Sequence, residues 1–153
     1  MHLAQLNVAR LLHPIDDPRI ADFVGNLDRI NAVADRSPGF VWRLQSGSGN
    51  ATDIASPWGP HVIVNLSVWE TPDALERFTW QTVHRAIYRR RAEWFAAMRS
   101  NHLAFWWVPE GHRPGVAEAK DRLDHLDAHG DTDEAFGWSH LPSTRLWREQ
   151  RCA

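Results

Sequence analysis

The chain has 153 residues, enough for one domain of ordinary size (~100–150 residues) and little beyond it. It is 43% hydrophobic and 24% charged with a net charge of −2, which excludes a disordered chain and leaves no basic footprint for nucleic acid or an anionic membrane. No apolar run reaches the ~20 residues of a membrane span, Met1–Gln5 lacks a signal-peptide pattern, and Cys152 is the only cysteine. These counts predict a cytoplasmic globular domain with no nucleic-acid or membrane partner.

Residues 3–12 alternate as a strand, with Ala4, Leu6 and Val8 on one face and Gln5 and Asn7 on the other. Asp17-Pro18 opens a helix with an apolar stripe of Ile20, Phe23, Val24, Leu27, Ile30 and Ala34, and Ser37-Pro38-Gly39 ends it. Phe40–Leu44 reads as a short strand, and a Ser/Gly/Asn/Pro loop covers Ser46–Pro60. Val62–Trp69 is the clearest strand, with Val62, Val64, Leu66 and Val68 opposed to Ile63, Asn65, Ser67 and Trp69. Thr71-Pro72-Asp73 caps a short helix to about Phe78, and a longer helix is predicted over Val83–Met98. Leu103–Val108 is a fourth strand. Pro114-Gly115 opens a last helix with Val116, Ala119, Leu123 and Leu126 on one face, closed by Gly130. The tail has Phe136, Trp138, Leu141 and Trp147 as anchors.

The order β-α-β-β-α-β with one extra helix predicts an α+β, ferredoxin-like fold: a four-stranded antiparallel sheet with helices on one face. The domain spans 1–142 and a C-terminal tail 143–153. Placing Ile63 and Trp69 on the helix-free face leaves an apolar surface, which predicts a homodimer packed sheet to sheet. The composition adds two oddities. Lys120 is the only lysine among 17 basic residues, a bias that GC-rich coding accounts for. Nine tryptophans stand against one tyrosine. At ~150–250 Å² each, with an N–H that needs a partner, the indoles fill an aromatic core or line a cavity or interface.

The chain resembles the DUF3291 family, a domain of unknown function placed among the dimeric α/β-barrel proteins. The residues carrying the resemblance are Leu3-Ala4-Gln5-Leu6-Asn7, Arg29-Ile30-Asn31 and Ser37 to Arg43. It continues in Val64 to Glu70, in His84 with Arg90-Arg91 and Trp94-Phe95, in Trp106 to Pro114, in Gly130-Asp131-Thr132 and in Ala135-Phe136. Trp80 departs from the pattern where a tyrosine is expected. The resemblance implies the fold and the dimer; by analogy with other α/β-barrel groups it admits cofactor-free monooxygenases, cyclases, haem enzymes and simple binders.

On the Val83–Met98 helix, Val83, Ile87, Trp94 and Met98 form a core stripe, and His84, Tyr88, Arg91 and Phe95 a second stripe beside it. His84, Tyr88 and Arg91 together offer a base, a hydroxyl and an anion clamp, the expected catalytic group. The alternative has His84 bonding a backbone carbonyl while Tyr88 and Arg91 reach the surface. Asn7, Asn31, Asn65 and the indoles of Trp42, Trp69 and Trp107 are the expected ligand-binding residues; Gln5 and Asn7 read equally as an interstrand network. His125 and His129 have metal spacing but no third ligand, so no metal is expected, and no motif for a nucleotide cofactor occurs.

The leading expectation is a cofactor-independent enzyme, of monooxygenase or cyclase/isomerase type, acting on a small hydrophobic aromatic or polycyclic molecule. His84 serves as general base, with Tyr88 or Asn65 at a developing oxyanion. The alternatives are a non-catalytic ligand-binding or structural dimer and, behind it, a haem protein with His84 as axial ligand.

Overall fold

The computed structural model describes residues 1–143 and 145–146; Trp147, Cys152 and most of the C-terminal tail lie outside them. Strands β1 (His2–Arg10), β2 (Phe40–Arg43), β3 (Val62–Trp69) and β4 (Leu103–Val108) form one sheet in the order β2-β3-β1-β4, every neighbouring pair antiparallel. The helices are α1 (Ala21–Arg36), α2 (Pro72–Gln81), α3 (Val83–Arg89) and α4 (Val116–His129). This is the expected α+β, ferredoxin-like arrangement with one added helix. None of the helices among the described residues is long and apolar enough to cross a membrane.

The register sets the two faces. Leu3 lies opposite Trp69 and Trp107, and Gln5 opposite Ser67 and Phe105, so the odd positions of β1 share a face with the odd positions of its neighbours. Ile30 and Ala34 of α1 and Ala74, Leu75 and Phe78 of α2 pack on that face against Leu3, Trp69 and Phe105. A second group on the same face joins Leu11, Ile20, Phe23 and Trp94, with Ile63 packed against it. Ile63 and Trp69 thus lie under helices, contrary to the sequence-based placement. Both faces of β3 carry large apolar side chains, so alternation alone does not say which one the helices α1 and α2 take.

The other face is closed by the same chain. Ala119, Leu123 and Leu126 of α4 cover Leu6, Val8, Val64, Leu66 and Trp106, with Trp42, Leu44, Trp58 and Met98 completing the layer. Trp58 comes from the long loop, which is stiffened internally: the Ser46 hydroxyl bonds Asp53 at 2.6 Å, and the backbone N–H of Ser46 donates to the Asn50 carbonyl at 2.7 Å. The apolar face expected to drive sheet-to-sheet pairing is therefore satisfied within one chain.

The Trp106-Trp107 to Pro114 block has a local explanation. The Trp106 indole N–H donates to Glu118 Oε1 at 3.0 Å, and His112 Nε2 meets Glu118 Oε2 at 2.8 Å. One carboxylate in the first turn of α4 ties down both the strand and the loop that precedes the helix.

The predicted Val83–Met98 helix is shorter than its stripe. It ends at Arg89, a 3-10 turn follows at Arg91–Glu93, and the chain then pairs with the end of β1. The N–H of Leu12 donates to the Trp94 carbonyl at 2.8 Å and that of Ala96 to the Arg10 carbonyl at 2.9 Å. Backbone groups used this way cannot serve a helix. Trp94 packs on the helix-covered face while Met98 reaches the other.

Two outcomes follow. Trp69 is 1% exposed between Phe40 and Phe78, so Trp69→Ala should cost at least ~3 kcal/mol in denaturant unfolding; a loss under ~1 kcal/mol would contradict its place in the core. Because each chain buries both sheet faces itself, Tm should stay constant over a ~100-fold dilution. A Tm that falls with dilution would mean that the fold depends on a second copy.

Candidate functional site

The corner between α2 and α3 is built by threonines. Thr71 opens α2 by accepting the Ala74 N–H at 3.2 Å, with Pro72 in the first turn. Thr82 serves both helices: its hydroxyl donates to the Phe78 carbonyl at 2.6 Å and accepts the His84 N–H at 3.2 Å. α2 therefore stops where α3 starts, and the first turn of α3 folds back onto the last turn of α2.

That reversal places His84. Its Nδ1 lies 3.1 Å from the Thr79 carbonyl, and its ring packs at 5.2 Å from Phe78. A carbonyl only accepts, so Nδ1 carries the proton and Nε2 is left as the acceptor of the neutral ring; Nε2 has no hydrogen-bond partner among the described residues. Burial pushes the His84 pKa down, and the Thr79 carbonyl opposes this more weakly. The Arg91 guanidinium takes no part in this lowering.

Phe78 stacks on Trp69 at 5.1 Å. The Trp69 indole N–H donates to Ser67 Oγ at 3.0 Å, and that hydroxyl donates to Gln5 Oε1 at 2.9 Å. His84 is thus connected through two aromatic rings to a polar line inside the sheet.

The other expected catalytic residues go elsewhere. Tyr88 shares the face of α3 with His84, but its ring stands edge-on to Trp80 at 5.1 Å and is 38% exposed. Arg91 lies over the Tyr88 ring at 4.1 Å and donates to the Tyr88 carbonyl at 3.0 Å. No side-chain hydrogen bond or ring contact joins His84 to Tyr88 or Arg91.

The expected ligand residues also separate. Asn31 donates to Asn50 Oδ1 at 2.6 Å and anchors the long loop on α1. Trp42 packs on the α4-covered layer, whereas Trp69 is sealed on the opposite one. Trp107 is 38% exposed beside Phe136. Asn7 and Asn65 stand directly opposite each other on the face of α1 and α2, Asn7 half-buried and Asn65 exposed. The His125 and His129 rings pack tilted at 4.4 Å, with His125 Nε2 3.0 Å from Thr132 Oγ1. No three metal-ligating side chains cluster among the described residues. Sequence reasoning missed Thr79 and Thr82; a backbone carbonyl leaves no mark in sequence, and only the Thr82 spacing from His84 offered a signal.

The lowered pKa fixes a sign. The unfolded chain takes up the His84 proton at the ordinary value of about 6.5, above that of the folded protein. The stability this group contributes is complete above about pH 6.5 and is lost as pH falls toward the folded value. Wild-type Tm should therefore drop on acidification below ~6.5, and His84→Gln should remove that component. Nitrogen-15 NMR at neutral pH should show a proton on Nδ1 and a bare Nε2; the reverse tautomer would contradict the bond to Thr79.

Among solved structures, the chain is similar to NE2512, a protein of unknown function from Nitrosomonas europaea, with 12% identity, TM-score 0.49, and coverage of 74% of this chain and 95% of that one. It is also similar to SnoaB, a cofactor-independent oxygenase from Streptomyces nogalater, with 16% identity, TM-score 0.47, and coverage of 74% and 98%. A putative antibiotic biosynthesis monooxygenase from Chloroflexus aurantiacus aligns at 20% identity and TM-score 0.40, again over 74% and 98%. At such scores neither the fold nor the site rests on these likenesses. No curated protein matches the chain. The model of a domain of unknown function, DUF3291, matches residues 2–152, and the chain belongs to that family.

Proposed function

We propose that the protein binds a small hydrophobic aromatic or polycyclic molecule and, without a cofactor, removes a proton from an activated carbon of that molecule at His84 Nε2. The observation that carries this reading is the His84 ring itself. It is held through Nδ1 at 3.1 Å from Thr79, unpartnered at Nε2 among the described residues, and lowered in pKa by burial. Such a ring is neutral near pH 7 and presents its acceptor nitrogen to whatever lies beside α3.

Proton transfer leaves an imidazolium and a substrate carbanion. Return of the proton to another atom completes an isomerisation or cyclisation with no co-reactant. In the monooxygenase variant, O₂ is the oxidant: it forms a C–O bond with the carbanion, the proton held by His84 completes the hydroperoxide, and loss of water from it leaves the carbonyl product. Tyr88, one turn along the same face of α3, offers a hydroxyl at the rim. Asn7 and Asn65 offer amides on the sheet face that α1 and α2 cover, and Trp107 offers exposed aromatic surface. A homodimer belongs to this proposal only through surface other than the sheet faces.

One observation favours the non-catalytic ligand-binding reading: the Arg91 guanidinium and the Tyr88 ring are spent on each other and on Trp80. Turnover separates the two. Wild type and His84→Gln are compared for consumption of activated aromatic ketones, with O₂ uptake followed in metal-free buffer. His84→Gln should stay folded and lose at least ~100-fold in kcat. Equal turnover in the variant, or no turnover of any ketone by wild type, would remove His84 from catalysis.

A further inference from the structure

Away from His84, α1 and α3 face each other across a gap that neither helix fills. Asn26, Arg29 and Ile30 of α1 lie at i, i+3 and i+4, and Val83, Ala86 and Ile87 of α3 repeat that spacing opposite them. The two stripes border a half-open cavity of about 200 Å³. Ile30 is buried at its floor, and Val83 and Ile87 are half-buried. The methyl of Ala86 leaves space that a larger side chain would occupy.

The mouth is polar and asymmetric. Arg90 is more than neutralised, one guanidinium against two carboxylates: its Nε and Nη2 bond both carboxylate oxygens of Glu93, at 2.9 and 2.8 Å, and Nη2 also reaches Asp22 at 2.9 Å. The Asn26 amide donates to the Asp22 carbonyl at 2.7 Å. Arg29 is exposed and has neither a carboxylate nor a hydrogen-bond acceptor among the described residues. An apolar floor under one unneutralised guanidinium calls for a ligand with an apolar body and one negative charge at its end. A planar carboxylate matches the donor fork of arginine with two parallel bonds. The volume lies below the ~300–1,000 Å³ of sites for drug-sized ligands, so the body is a single ring or a short branched chain.

We propose that this α1–α3 cavity is a binding site for a small amphipathic monocarboxylate, its ring or branched chain between Ile30 and Ile87 and its carboxylate on Arg29. The site is separate from the His84 reading: the His84 ring does not line it, and nothing in the proposal requires turnover.

Benzoate is the probe, with benzamide as its neutral counterpart, in a sample with labelled isoleucine methyls. Benzoate should shift the Ile30 and Ile87 methyl signals saturably and leave Ile54, in the long loop, unmoved. Benzamide should bind at least ~10-fold more weakly, and Arg29→Met should weaken benzoate by a similar factor while keeping the wild-type Tm. Ala86→Phe should fill the cavity and abolish the shifts with Arg29 intact. The proposal is overturned if benzoate, 3-phenylpropanoate and 3-methylbutanoate all fail to saturate by about 10 mM. It is equally overturned if benzamide binds as well as benzoate, or if benzoate binds both variants as it binds wild type.

Discussion

The indole of Trp69, the hydroxyl of Ser67 and the amide of Gln5 form a hydrogen-bonded line across β3 and β1 inside an otherwise apolar layer. Polar groups buried this deeply are stabilising only when they find partners, and the Trp69 N–H, the Ser67 hydroxyl and Gln5 Oε1 do. The line also fixes register. A slip of one residue between β1 and β3 would set Gln5 against an apolar neighbour and turn Trp69 to the opposite face. Phe78 stacks on Trp69 and so positions α2, Thr82 ends α2 and begins α3, and His84 comes to rest on Phe78. The location of the candidate base is thus a consequence of strand pairing two layers away.

Local signals carried most of the fold. Period-two alternation located β1 and β3, and an apolar run stopped by Pro109 located β4; Thr71-Pro72 marked the start of α2, and Asp17-Pro18 the 3-10 turn Pro18–Ile20 that leads into α1. What failed was long-range. The stripe of Val83, Ile87, Trp94 and Met98 is continuous in sequence, yet the backbone after Arg89 is taken by the end of β1, and no residue type announces that competition. The choice of sheet face failed for a similar reason: Val64 and Ile63 are equally apolar, and the helix α4 that decides the matter lies more than forty residues downstream.

At the candidate site, the singularity of His84 was legible because a titratable ring beside an apolar stripe is unusual. Its grouping with Tyr88 and Arg91 was not. Helical spacing puts His84 and Tyr88 on one face, but Arg91 lies past the end of α3, and its guanidinium finds the nearest aromatic face. The α1–α3 gap was hidden for a different reason. Its apolar residues, Ile30, Val83 and Ile87, read as ordinary core, and only the small side chain of Ala86 between the helices leaves room. With seven residues, α3 is too short to persist alone in water; the Thr82 cap and the packing of Val83 and Ile87 hold it, so both loci depend on one short helix.

The two edges of the sheet are finished differently. Along β4, Phe105 exchanges two backbone hydrogen bonds with Phe136, at 2.7 and 2.9 Å, which covers the middle of that edge. β2 has no such cover among the described residues. It is only four residues long, its pairing with β3 is interrupted between Phe40 and Trp42, and Arg43 next to the break is clamped by Asp35 at 2.8 Å. A strand that is short, irregular and charged at its end offers a poor template for a foreign strand. A protein with nine tryptophans and largely apolar sheet faces is thereby defended against edge-to-edge aggregation along its β2 edge.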